Sequence, residues 1–163
     1  MKFVWCLILI SGILLTGCAQ PALETVNDDY VTQPPAQMRQ VHLELPQDAA
    51  QAVMEGAEGA KLYLCDGYEL RLQTLDNRDL DAVLRAVTGY GEDRLTVIKT
   101  RDGALDRYDC AWCSAGEEGE VVGRTAILDD GNYFYCVSAL ADSGSAFACG
   151  PVWQEILDSF TLG

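Results

Sequence analysis

Seven of the 163 residues are cysteines, and five of them (Cys65, Cys110, Cys113, Cys136 and Cys149) lie in the stretch that reads as folded. Thiols at fixed spacing exchange disulfides, ligate metals or close structural bridges. Cys110-Ala111-Trp112-Cys113 has the spacing of such a redox or metal motif. Its setting argues otherwise, because the segment reads as a strand, where residues three apart point to opposite faces. Zinc also needs four convergent ligands, and His42 is the single imidazole of the chain. No metal and no cofactor are therefore expected. A thiol-dependent redox protein using Cys110 and Cys113 stands as the alternative function. In a meander the strands of Cys110 and Cys136 flank a third, about 9–10 Å apart, whereas a bridge needs Cα atoms within about 7 Å. Cys149, just before a closing helix, has a route to Cys110 or Cys136 if these face the core. The better-supported expectation is that the buried thiols act as small apolar side chains. An odd count leaves at least one of the five without an intramolecular partner.

No other constellation points to catalysis. His42 lies on the polar side of a first strand, with no Ser or Asp arranged around it as a nucleophile relay requires. Asp129, Asp130 and Asn132 lack the spacing and distant Glu of a calcium loop, and read as a turn. Glu117, Glu118 and Glu120 read as a solvated hairpin tip. Tyrosines are numerous for a small sheet, and Tyr63, Tyr133 and Tyr135 make a candidate recognition surface.

The N-terminal end carries a different kind of chemistry. Lys2 precedes an apolar run from Phe3 to Leu15, followed by Thr16-Gly17-Cys18. A basic start, a short apolar core and small residues before a cut make an export signal. About thirteen apolar residues fall short of the roughly 20 that span a bilayer. Leu15-Thr16-Gly17-Cys18 resembles the lipobox of bacterial lipoproteins, in which the Cys thiol is acylated and the peptide is cut between the positions of Gly17 and Cys18. The resemblance implies a lipid on Cys18, a signal peptide over residues 1–17 and a cell-membrane location facing outside the cytoplasm. Acyl chains hold a protein to a bilayer with about 0.8 kcal/mol per buried CH₂.

The formal charge is −14, and loss of residues 1–17 removes Lys2 and no acid, leaving −15. That balance excludes nucleic acid as a partner, since clustered Lys and Arg are needed to displace counterions. It also disfavours direct contact with anionic lipid. The membrane is thus a partner through the lipid on Cys18 alone, with an envelope protein or a small ligand as the further partner. Residues 18–38 carry Pro21, Pro34 and Pro35 without apolar period and read as a linker. About 20 such residues span about 25 Å.

Residues 39–163 suffice for one domain. Val41 to Leu45 alternates and stops at Pro46. Leu62 to Cys65 and Tyr68 to Leu75 make a hairpin around Asp66-Gly67, with Tyr68, Leu70 and Leu72 on one face and Glu69, Arg71 and Gln73 on the other. Leu80, Val83, Leu84 and Val87 form a helical stripe, capped by Asp76 or Asn77 and ended by Gly89. Strands follow over 95–100, 105–114, 121–128 and 133–140, with turns at Gly116 to Gly119 and Asp129 to Asn132. Pro151 is expected in the first turn of a last helix bearing Val152, Trp153, Ile156, Leu157 and Phe160. The fold class is α+β: a central antiparallel sheet of about six strands with two main helices packed against it.

The order of a strand ending in Pro, a hairpin, a short helix, a three-strand meander and a helix ending in Trp153 to Leu162 resembles the PsbP family of photosystem II extrinsic proteins and its relatives. Ile156, Leu157, Ser159 and Phe160 match a terminal motif of that family, and Gly131 to Tyr133 match a strand entry. The likeness runs from about Gln40 to Leu162 and rests on packing residues. The chain also resembles small lipoproteins of Gram-positive anaerobes. The family resemblance implies an accessory or binding protein and no catalytic residue. The expected function is a lipid-anchored extracytoplasmic binding or accessory protein without catalysis.

Overall fold

A computed structural model describes residues 37–53, 60–76, 79–116 and 119–163. The export signal, Gly17, Cys18, most of the linker, Asn77, Glu117 and Glu118 lie outside the described residues.

Alternation dictates the sheet. The strands are β1 (Val41–His42), β2 (Ala50–Ala52), β3 (Lys61–Cys65), β4 (Tyr68–Asp76), β5 (Val97–Asp102), β6 (Leu105–Gly116), β7 (Gly119–Asp129), β8 (Tyr133–Asp142) and β9 (Thr161–Leu162). Seven of them form one antiparallel sheet in the order β2-β3-β4-β8-β7-β6-β5, and β1 pairs with β9 as a separate two-stranded ribbon. The helices are α1 (Leu80–Thr88) and α2 (Ser143–Asp158). The meander β6-β7-β8 is the expected one, and β4 joins it by pairing with β8 along eight positions, from Glu69↔Leu140 to Asp76↔Tyr133.

One helix covers each face. On β8, the even positions Phe134, Cys136 and Leu140 meet Val83 and Leu84 of α1, together with Cys110, Trp112 and Ile127. The odd positions Tyr135, Val137, Ala139 and Ala141 lie beneath α2, which sets Trp153, Ile156 and Leu157 onto them. Ala139 and Ala141 are small, which leaves room for the Trp153 indole, 1% exposed. Both faces of β8 are thus buried from Phe134 to Ala141. A fully buried Leu or Phe contributes about 1.5–3 kcal/mol, so β8 is the spine of the fold.

The ends of the elements differ from expectation at four places. The cap of α1 is Asp79, not Asp76 or Asn77: its carboxylate accepts the Ala82 N–H at 2.7 Å. Gly89 ends α1 in the left-handed region (φ 82°), as expected. Helix α2 starts eight residues ahead of Pro151, because Asp142 accepts the N–H groups of Gly144 and Ser145 at 2.9 and 3.0 Å. A Gly/Ser/Ala-rich stretch with a good N-cap is helical here despite its composition, and Pro151 sits mid-helix at the loss of one backbone hydrogen bond. The first strand is two residues long, since the Glu44 N–H turns to the Ser159 hydroxyl at 2.9 Å instead of to a ladder. Strands β2 and β9 lacked any local signal.

Candidate functional site

The register settles where the thiols point. Cys110 pairs with Thr125, Thr125 with Ser138, Ile127 with Cys136. Cys110 and Cys136 therefore share the α1 face, buried to 8% and 2% exposure. They are offset by two positions as well as two strand spacings, about 12 Å apart by sheet geometry. Burial pushes both thiols up, Cys110 to about 11 and Cys136 to about 12. Cys113 lies on the opposite face and is exposed; its thiol donates to Glu120 Oε1 at 2.8 Å. That carboxylate raises the Cys113 pKa, the reverse of what activates a redox cysteine. Cys110 and Cys113 thus stand back to back across the sheet, and both are free thiols. The alternative approach of Cys149 to Cys110 or Cys136 does not occur: α2 lies on the face away from both, and the Cys149 sulfur sits 3.9 Å from the Gly67 carbonyl oxygen.

The carboxylates of the β7–β8 turn are engaged locally. Asp129 Oδ1 accepts the Gly131 N–H, and Asp130 Oδ1 accepts those of Asn132 and Tyr133, each at 2.8 Å. Asp130 Oδ2 accepts the Tyr135 hydroxyl at 3.0 Å. This is Asx-turn chemistry. His42 is exposed on the β1–β9 ribbon.

Two of the three candidate tyrosines are brought together, Tyr133 and Tyr135 meeting edge to face with ring centroids 6.3 Å apart, while Tyr63 stands apart. Tyr135 is 0% exposed, and its hydroxyl also accepts the Arg39 N–H at 2.8 Å. Tyr63 pairs with Leu70 and hence sits level with Ala139, six residues along β8 from Tyr133. Six strand residues span about 20 Å, so half-buried Tyr63 and Tyr133 lie toward opposite ends of the α2 face. Neither forms a joint surface with the other.

A different concave surface lies on that face. Helix α2 packs chiefly over β4, β8 and β7 and leaves Ile98 of β5 and Ala111 of β6 exposed. The result is a cleft of about 250 Å³ between Leu157 and strands β5 to β7, lined by Ile98, Asp109, Ala111 and Arg124. Ile98 is 60% exposed. The wall toward α2 is built by Arg107, which grips Asp109 through two hydrogen bonds (2.9 and 3.0 Å) and donates to the Leu157 carbonyl at 2.9 Å. A half-buried pair of this kind fixes geometry more than it stabilises. Arg124 donates to Gln154 Oε1 at 2.6 Å, and Gln154 donates to Asp158 at 2.7 Å. Among the described residues the Arg124 guanidinium has an amide partner and no carboxylate. Strand β5 ends the sheet beside the cleft, so its outer backbone groups lack a strand partner among the described residues. Lys99 and Arg101 on β5 share the single carboxylate of Asp106, at 2.8 and 3.3 Å. Both side chains point to the α1 face, as their partners Tyr108 and Asp106 do, so the cleft's own uncompensated cation is Arg124. Sequence reasoning missed these residues; an Arg at position 124, inside an otherwise apolar strand, is the one signal that pointed here.

A scan of protein-family models finds no match, and no curated protein is detectably similar in sequence. Solved structures are similar in fold. A solution structure of cyanobacterial PsbP (CyanoP) from Synechocystis superposes with a TM-score of 0.54 at 8% identity, over 80% of this chain and 97% of that one. A crystal structure from Bacteroides thetaiotaomicron gives 0.51 at 15% identity over 76% of this chain; the chain spans 45% of that protein. LpqN of Mycobacterium tuberculosis, involved in cell envelope biogenesis, gives 0.48 at 12% identity, over 81% of this chain and 87% of that one. Two helices against a mostly antiparallel sheet, with the likeness to CyanoP, make the architecture PsbP-like.

Proposed function

We propose that this chain is a lipid-anchored, extracytoplasmic accessory protein that acts by binding, with the β5–β7 cleft as its contact site and an extended, carboxylate-bearing segment of an envelope protein as the occupant. The observation that carries the reading is the cleft itself. An open edge strand offers backbone hydrogen bonds, an exposed Ile98 offers apolar contact, and Arg124, held by an amide alone, offers positive charge. The PsbP-like architecture and the Leu15 to Cys18 motif support the same reading. Tyr63 and Tyr133 are left as flanking contacts at most.

Two measurements test it. Cys18→Ala abolishes incorporation of radiolabelled palmitate and releases the protein from membranes; continued labelling refutes the anchor. Arg124→Glu combined with Ile98→Glu, both exposed to the cleft, lowers recovery of co-purifying protein from mildly solubilised membranes at least tenfold. Equal recovery by wild type and double variant refutes the cleft.

A further inference from the structure

Of the five thiols in the described residues, three, Cys110, Cys113 and Cys136, are too far from any other to be bridged. Cys110 and Cys136 are about 12 Å apart on the α1 face. Cys113 shares the α2 face with Cys65, but β4, β8 and β7 stand between their strands, about 19 Å in all. Cys65 and Cys149 alone share a neighbourhood. Both pack against the cluster of Leu70, Ala139, Ala141, Trp153 and Ile156. Cys65 opens the two-residue turn Asp66-Gly67, and the Cys149 sulfur presses on that turn from the helix side, 3.9 Å from the Gly67 oxygen. A Cβ at position 67 would stand 3.9 Å from the same sulfur, so the glycine leaves the space between turn and helix open. Tyr68 links the two: its side chain hydrogen-bonds the Cys65 sulfur and lies within electrostatic reach of Cys149.

We propose that Cys65 and Cys149 are a redox-modification site, which a small-molecule disulfide converts into a bridge clamping the start of α2 to the β3–β4 turn. The Cys149 thiolate attacks one sulfur of the oxidant, forming a mixed disulfide and releasing one thiolate. The Cys65 thiolate then attacks the Cys149 sulfur, forming the Cys65–Cys149 bond and releasing the second thiolate. Two protons leave the protein thiols, and two electrons pass to the oxidant. A bridge needs Cα atoms about 4.4–6.8 Å apart. Forming it therefore requires the turn and the first half of α2 to close on each other beside Gly67. Burial and nearby carboxylates hold both thiols above their ordinary range, so the reaction is limited by the thiolate fraction and accelerates about tenfold per pH unit below that range. The site is independent of the anchor and of the β5–β7 cleft.

The test uses the full chain, reduced and then exposed to oxidised glutathione at pH 8, alkylated and digested with trypsin without reduction. Cleavage after Lys61, Arg71 and Arg124 leaves Cys65 in peptide 62–71 and Cys149 in peptide 125–163 with Cys136. The expected product is 62–71 joined to 125–163, with Tm raised by about 5 °C or more. Cys149→Ser abolishes the link and Cys136→Ser preserves it. Recovery of both thiols alkylated, or both carrying glutathione, overturns the proposal, as does a link that survives Cys149→Ser.

Discussion

Gly123 on β7 is where the packing is least forgiving. A Cβ built there meets Cε2 and Cζ2 of Trp112 at 2.4 Å and its Nε1 at 2.9 Å, closer than carbon atoms approach without movement. The indole has little room to yield: Trp112 is 9% exposed beneath α1, and its Nε1 donates to Thr125 Oγ1 at 3.0 Å. That hydroxyl in turn bonds Ser138 Oγ at 2.8 Å, and Thr125 and Ser138 are both buried. Gly123→Ala must therefore displace the ring. Overpacking costs about 1–3 kcal/mol, and leaving a buried N–H unpaired about 1–3 kcal/mol more. The lower backbone entropy of alanine in the unfolded chain returns about 0.5–1 kcal/mol. The net loss is about 2–4 kcal/mol, or about 8–15 °C in Tm for a domain of this size. Thermal unfolding followed by circular dichroism measures it, and tryptophan emission reports the ring. Gly89→Ala is the control, because no atom lies within 4 Å there and the only penalty is the positive φ, about 1 kcal/mol, with emission unchanged. A Gly123→Ala variant that melts within about 2 °C of wild type would falsify the packing argument.

Three other outcomes follow from the same contacts. Thr125→Val removes the hydroxyl that serves both Trp112 and Ser138, so two buried polar groups lose a partner at once. Denaturant unfolding should show a loss of about 2 kcal/mol, and a neutral result would mean that Trp112 and Ser138 find other partners. Glu120→Gln removes the carboxylate charge that holds the Cys113 thiol up, so iodoacetamide labelling of Cys113 near pH 8 should quicken severalfold while Cys110 and Cys136 stay protected by burial. Asp142, Asp81 and Asp106 are held below the usual carboxylate range, Asp142 first by the Ser145 hydroxyl, Asp81 by Arg85 and Asp106 by Lys99. Groups with lowered folded pKa stabilise above their unfolded value and lose that contribution as pH falls through the folded one. The urea midpoint should hold down to about pH 5 and drop below pH 4, and more shallowly in Asp142→Asn; identical pH profiles would exclude the cap as a contributor.

What the sequence disclosed depended on how local each determinant is. Tyr68 to Leu75 alternates over a whole strand, so its two faces were readable, and the same period placed Cys110 and Cys113 on opposite faces. Strands β2 and β9 are three and two residues long and exist because a partner lies alongside, which no local pattern encodes. Pro151 misled because proline favours the first turn, while the stronger signal was Asp142 with two backbone N–H groups within reach. Cys149 could not be placed because β8 is apolar on both faces, and nothing in its own residues says which helix takes which side. The cleft was invisible for a related reason. Ile98, Asp109, Arg124 and Leu157 come from four elements, and only the extent of α2 across the sheet decides that they are left uncovered.

The β1–β9 ribbon brings the entry and the exit of the fold to one pole. Val41 lies opposite Leu162, the Gly163 N–H meets the Gln40 carbonyl at 2.8 Å, and Arg39 reaches the carbonyls of Leu162 and Gly163. The β3–β4 turn and the start of α2 lie at the other end of β8, about 30 Å away along ten strand residues. A pull applied through the N-terminal segment therefore loads this ribbon first. It holds by two residue pairs and a few hydrogen bonds, whereas the seven-stranded sheet holds by ladders up to eleven pairs long. Mechanically the ribbon is a fuse: under such a pull it parts first and frees a few residues while the sheet stays whole.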